Sequence, residues 1–217
     1  MKKDAGEKEE LLMRIARYLI INAPFTEKLG LYHGKMGIIL FFALYARYSQ
    51  NSMYNDFWEA LLYEIFEDIY KDYPLNMENG LCGIGLAIEY LAQNQFIKGD
   101  TGEILEDINV LIMERDPLRI SDVSFRKGLA GVHYYVHTHL CSPSAIHASI
   151  DAEYVKNVSI AVQKNDCALV NIPISSFLYA NFLVDNSIEI SPDSNLSLLP
   201  LGVDNGIAGI GLKLMRV

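Results

Sequence analysis

The side chains in this sequence best suited to chemistry are its histidines and cysteines, together with one carboxylate set in an apolar run. His133, His137 and Cys141 follow one another at intervals of four, which on a helix is one face, and imidazole and thiolate are both zinc ligands. Three ligands on one rigid helix spread over about 12 Å at 1.5 Å per residue, too far for a single ion. The usable pair is therefore His133 with His137, completed from another segment. His33 and Cys82 are the candidates, each standing at the opening of a related motif. The alternative is that these histidines are satisfied by hydrogen bonds where helices pack. His139 and His147 read as surface or loop residues. Glu89 interrupts the apolar run 81–92, and burial there makes a carboxyl a candidate acid. Hydrolases that work this way pair two carboxylates, and no second one is placed equally. The alternative sets Glu89 at a solvated end, or on a pore-facing side, of its helix. Cys82, Cys141 and Cys167 are odd in number, widely separated and without a CxxC pair, so they specify neither a disulfide framework nor a zinc finger. Each reads as a small buried apolar side chain.

Internal repeats indicate the elements that must position these residues. Four segments share one pattern: Gly34-Lys-Met-Gly37, Gly80-Leu-Cys-Gly83, Gly128-Leu-Ala-Gly131 and Gly206-Ile-Ala-Gly209. Their first glycines are separated by 46, 48 and 78 residues. A period near 47 accommodates two helices of about 15 residues and two connections, so the pattern predicts an array of helical hairpins. The spacers are amphipathic. Trp58, Leu61, Leu62, Ile65, Phe66 and Ile69 recur at helical spacing, between a start signal at Asn55 or Asp56 and a stop at Pro74. Asp100 and Glu103 have capping-box spacing ahead of Ile104, Leu105, Ile108, Leu111 and Ile112, and Ile150, Tyr154, Val155, Val158 and Val162 form a third face. The segments after the glycines, 37–46 and 81–92, are apolar almost all round, which marks helices buried on more than one side. Each unit thus pairs an outer amphipathic helix with an inner buried one. The paired glycines allow backbones to approach closely at the inner helix's first turn, and several such N-termini together would offer free N–H groups to an anion such as a peptide carboxylate. Only 169–174 reads as a strand, and residues 186–204, rich in Ser, Asn and Pro, read as a long loop.

Composition narrows the class. The 217 residues are 51% apolar with a net charge of −9, which fits one domain (1–217) with a sizeable core and excludes intrinsic disorder. An acidic balance argues against nucleic acid as partner, since phosphate binding needs clustered Lys and Arg. A lone Gly-x-x-Gly also occurs in KH modules, but their strands and basic surroundings are absent from this sequence. No apolar run reaches the 18 to 20 residues, roughly, of a membrane span, and no secretory signal is visible, so the expectation is a cytoplasmic protein.

The sequences Gly30-Leu-Tyr-His33-Gly34-Lys-Met-Gly37, Asn79-Gly80-Leu-Cys-Gly83-Ile-Gly85 and Asn205-Gly206-Ile-Ala-Gly209-Ile-Gly211 resemble the glycine motifs of the lanthionine synthetase C-like family. The resemblance implies an α/α toroid, two nested rings of seven helices, in which the motifs open the inner helices. It also implies cyclisation of ribosomally made peptides, with zinc held by two cysteines and one histidine to activate a thiol. The family's ligand motifs, Trp-Cys-Tyr-Gly-like and Cys-His-Gly, do not occur here. Tyr32-His33-Gly34 has the outline of the second, with tyrosine where the cysteine belongs and in the wrong repeat.

The sequence therefore predicts an all-α fold, an incomplete or reduced α/α toroid of four to five hairpins whose last inner helix is short or cut off. It predicts a lanthionine synthetase C-like protein that binds a precursor peptide or a peptide-modifying enzyme at the glycine openings Gly34, Gly37, Gly80, Gly83, Gly128, Gly131, Gly206 and Gly209. No cofactor is expected. The competing readings are an active zinc cyclase with ligands rearranged among His33, Cys82, His133 and His137, and a helical-repeat interaction protein without peptide chemistry. An unclosed ring leaves apolar flanks that a partner or a second copy, as in a homo-oligomer, would cover.

Overall fold

A computed structural model of the chain describes residues 2–147, 149–177 and 194–215. They are helical, and no strand occurs among them: α1 (Lys2–Asn22), α2 (Lys35–Ser49), α3 (Met53–Asp68), α4 (Leu81–Gln93), α5 (Thr101–Ile104), α6 (Glu106–Met113), α7 (Leu129–Leu140), α8 (Ala152–Lys164), α9 (Ile174–Phe177) and α10 (Ile207–Met215). The chain groups into two compact units, one of residues up to 69 with those from 177 on, the other Tyr70–Ser176.

Helices α2, α4, α7 and α10 follow the four glycine motifs, and most of their residues are buried. Between them run helices with one buried face. In α1 that face is Leu11, Leu12, Ile15, Ala16 and Leu19, and in α3 it is Tyr54, Trp58, Leu61 and Ile65. In α8 it is Tyr154, Val158, Ala161 and Val162. The alternation of amphipathic and buried helices is the pattern the repeats predict, and the fold is that of α/α-toroid hairpins. Within the first unit α2 packs on α3 and α10, and α10 on α1. Within the second, α4 packs on α6 and α7, and α7 on α8.

The glycines have a common role in this packing. Gly34, Gly80 and Gly128 are the N-cap residues of α2, α4 and α7, and their backbones are extended, so no dihedral demands glycine. Space demands it. A Cβ at Gly34 would lie 2.4 Å from the Lys28 carbonyl oxygen, at Gly80 2.2 Å from that of Pro74, and at Gly206 2.4 Å from that of Gly202. The second glycines continue the contact, Gly37 against Leu31 O at 2.4 Å and Gly131 against Phe125 O at 2.2 Å. The incoming loop thus curls over each helix start and gives its carbonyls to the first-turn amides: Lys35 N to Lys28 O, Leu81 N to Pro74 O and Ile207 N to Pro200 O, each at 2.8 Å. Met36, Cys82 and Ala208 donate in the same way to Leu29, Leu75 and Leu201. Two first-turn amides at each of the Gly34, Gly80 and Gly206 openings are therefore paired with carbonyls of the loop within the chain. Lys35 begins α2, an unfavourable end for a cation, and is held there by Glu64 at 2.7 Å and Asp68 at 3.5 Å.

Several boundaries differ from the sequence expectation. Helix α3 starts at Met53, whose amide bonds Asn51 Oδ1, while Asn55 instead accepts the Trp58 indole N–H at 3.1 Å. It ends at Asp68, well before Pro74. Asp100 caps the next helix through Gly102 N at 2.8 Å as its spacing predicts, but the helix breaks at Leu105 (φ −99°, ψ 7°) into α5 and α6. Helix α1 has no apolar periodicity in the chain's charged first ten residues, and its buried face begins only at Leu11. Residues 169–173 form no ladder, since no other strand is at hand and Pro173 lacks a donor; Ile174 already begins α9. The loop expected at 186–204 lies outside the described residues up to 193; from Ser194 on it is irregular but for one 3-10 turn, Leu196–Leu198. No helix among the described residues is long and apolar enough to cross a membrane.

Candidate functional site

The second unit contains a cavity of about 650 Å³ beside the last two turns of α7, bounded on its other side by residues 169–175, an irregular stretch that runs into the start of α9. His133, Tyr134, His137, Thr138 and Cys141 line the α7 side, and Gln93, at the end of α4, contributes to the rim. Tyr134 ties the two walls together by donating its hydroxyl to the Ile172 carbonyl at 2.9 Å. The His133 and His137 rings stack at 6.1 Å and 20°, and Cys141 Sγ lies 3.9 Å from His137 Nε2. Burial, and then the neighbouring His137, push the His133 pKa down and favour the neutral ring, whose Nδ1 has no hydrogen-bond partner.

The three candidate ligands of the second unit do not converge. His133 and His137 share the cavity, but Cys82 is fully buried in the first turn of α4, where desolvation holds its thiol far above the ordinary range. His33 lies in the other unit, with Nε2 3.8 Å from an Asp204 carboxylate oxygen. The remaining cysteines divide. Cys167 is buried, its pKa raised by desolvation, and donates to Val123 O at 3.4 Å, whereas Cys141 is exposed, contrary to the expectation of a buried apolar side chain, because it follows the end of α7. Among the described residues, no three His, Cys, Asp or Glu side chains that include a cysteine bring donor atoms within 4.8 Å of one another. Zinc in this family needs thiolates gathered on one ion, and two of these three thiols are instead held protonated by burial. The residues present do not fit a two-cysteine, one-histidine zinc site.

Two expectations about single residues are overturned together. His139 is 1% exposed rather than at the surface, and Glu89 is 0% exposed rather than at a solvated end. They find each other across the α4–α7 contact, His139 Nδ1 to Glu89 Oε1 at 2.6 Å, because an imidazole is the partner that lets a buried carboxylate remain in the core. Asn109 of α6 and Ser149, just ahead of α8, complete the group: His139 Nε2 lies 2.9 Å from Ser149 Oγ, Asn109 Nδ2 2.7 Å from the same oxygen, and Tyr135 OH 2.6 Å from Asn109 Oδ1. The group leaves no mark within any single helix of the sequence, because its members come from α4, α6, α7 and the segment ahead of α8. The repeat carried a signal: Glu89 and His139 stand near the third turn of consecutive inner helices.

Residues 26–139, just over half of the chain, match the family model described as lanthionine synthetase C-like protein. The chain belongs to the lanthionine synthetase C-like family. The matched span of this lanthionine synthetase C-like chain runs from the loop before α2 to the end of α7, and so takes in three of the four glycine motifs and the Glu89–His139 pair. No curated protein and no solved structure gives a significant match.

His147 was expected in a loop or at the surface and is 71% exposed, yet it is anchored. Its Nδ1 and its amide both bond Asp100, which also accepts from Ile146 N at 2.8 Å and Gly102 N at 2.8 Å, so one carboxylate pins residues 146 and 147 to the start of α5. The hydrogen bond to Asp100, reinforced by its charge, raises the His147 pKa above 6.5. Burial acts to raise the Asp100 pKa, but the His147 bond and the three amides outweigh it and bring it from 3.8 to about 2. Stability from the raised histidine is complete below 6.5 and fades as pH rises through the folded-state value; that from the lowered aspartate is complete above 3.8 and fades toward 2. The gap in melting temperature between wild type and His147→Ala is therefore expected to be widest between pH 4 and 6, roughly, and to narrow above neutrality. A gap that widens with rising pH would contradict this pairing.

Proposed function

We propose that this lanthionine synthetase C-like protein acts in the maturation of a ribosomally made, lanthipeptide-type peptide by binding that peptide rather than by zinc-dependent ring closure. The reading takes residues 1–217 as one such domain. The observation that carries it is the dispersal of the thiols: family membership points to a peptide partner, while Cys82 and Cys167 are held as buried neutral thiols. The close approach of the loop backbone at the glycine openings, Gly34, Gly37, Gly80, Gly83, Gly128, Gly131, Gly206 and Gly209, supports a packing role there, and we place the contact instead in the cavity between α7 and segment 169–175. Its size accommodates a few side chains, and its histidines and the Thr138 hydroxyl supply the few polar groups that orient a ligand in an otherwise apolar pocket.

The test is titration of the protein into a fluorescein-labelled synthetic peptide rich in Cys, Ser and Thr. Saturable binding that is unchanged by a chelator and weakened at least tenfold by the cavity-filling Thr138→Trp is expected, a loss of about 1.4 kcal/mol. Binding that needs added zinc would favour the rearranged cyclase, and no binding would favour the interaction protein without peptide chemistry.

A further inference from the structure

The hydrogen bonds around His139 fit a neutral ring protonated on Nδ1, with Nε2 accepting from Ser149 Oγ at 2.9 Å and facing Asn109 Nδ2 at 3.2 Å. Burial, then the nearby Cys82 and Glu89, raise the Tyr135 pKa well above 10, so its phenol keeps its proton and donates it to Asn109 Oδ1. That turns the Asn109 amide N–H toward Ser149 Oγ, which fills an acceptor position on the hydroxyl and leaves its proton for His139 Nε2. His139 then carries its own proton on Nδ1 and gives it to Glu89 Oε1. Glu89, His139, Asn109 and Tyr135 are each at most 1% exposed, whereas Ser149 is half-buried and is the one member of the group that reaches solvent.

We propose that Glu89, His139 and Ser149 form an acid–imidazole–serine relay that makes Ser149 a nucleophile toward acyl esters. The requirements for such a relay are a nucleophile within hydrogen-bond reach of a base and a base oriented by a third group, and the distances of 2.9 Å and 2.6 Å meet both. In the first half-reaction Ser149 Oγ bonds the ester carbonyl carbon while its proton passes to His139 Nε2. Collapse of the adduct breaks the bond to the alcohol oxygen, which leaves with that proton. Water then adds to the acyl carbon, lends a proton to Nε2, and the acid departs as Oγ recovers it. The sum is ester and water to acid and alcohol. Glu89 orients the ring and balances the charge it gains, and Asn109 Nδ2, 2.7 Å from Ser149 Oγ, holds the hydroxyl in place. Gly85 maintains the arrangement from below, since a Cβ there would lie 2.5 Å from the Tyr135 ring.

The experiment is treatment of the full chain with a fluorophosphonate, in which an Oγ–P bond forms, the P–F bond breaks, fluoride leaves and the serine proton passes through His139 to solvent. The expected result is one adduct per chain mapped to Ser149, absent from Ser149→Ala and formed at least tenfold more slowly in Glu89→Gln, with p-nitrophenyl acetate hydrolysis lost in parallel. Ser149→Ala removes only a half-buried hydroxyl, so its circular dichroism and melting curve serve as the folding control. A folded wild-type protein that is inert to the probe, or one labelled equally with and without Ser149, would overturn the proposal and leave the group a packing device.

Discussion

Glu89→Ala is expected to destabilise the protein by about 3 kcal/mol, since it leaves a buried donor unpaired and removes core volume at once. Neither side chain of the pair reaches solvent, and the substitution leaves His139 Nδ1 in the core without an acceptor while opening a void in α4. Since His139 also holds Ser149 ahead of α8 and adjoins Asn109 of α6, the loss spreads to the contacts among four helices. Glu89→Gln keeps a hydrogen-bond acceptor of the same shape and is expected to cost clearly less. Chemical denaturation of the three proteins checks both statements; equal and small losses for the two variants would show that the pair carries little of the core's stability.

Gly128→Ala is expected to cost about 3 kcal/mol, at the upper end of overpacking, although alanine is the better helix former. The added Cβ would lie 1.9 Å from the Asp122 carbonyl oxygen and 2.4 Å from its carbon, and that same oxygen accepts Leu129 N at 2.8 Å. These are backbone atoms, so relief requires the loop to lift off the helix and surrender the bond. Gly6→Ala in α1 is the control. A Cβ there meets nothing within 4 Å, and the gain in helix propensity of about 1 kcal/mol is expected to appear as a small stabilisation. Paired melting curves decide; a neutral Gly128→Ala would show that the motif glycines do not serve close backbone approach.

The repeat made the fold legible. Burial on all sides and burial on one face leave different marks on a sequence, so α2 and α4 are distinguishable from α3 and α8 by their residues alone. What the repeat could not carry was detail set by tertiary contact. Asp100 looked like a simple cap, yet its carboxylate also gathers Ile146 and His147 from a distant turn, and the helix it opens breaks at Leu105. The glycine openings looked like anion sites because the seven-residue curl of the preceding loop, which fills the amides, has no composition signature. His139 and Glu89 each looked out of place alone. Their meaning lies in being opposite one another on neighbouring inner helices, and polarity within a single helix does not report a partner fifty residues away.

The central claim is that this lanthionine synthetase C-like chain acts without the family's zinc chemistry, and zinc stoichiometry tests it most directly. After incubation with excess zinc and exhaustive dialysis, elemental analysis of the full chain is expected to find far less than one zinc per molecule, with the same residual content in His133→Ala, His137→Ala and Cys141→Ala. One tightly held zinc per chain, lost in any of these variants, would contradict the account and establish a rearranged metal site on α7.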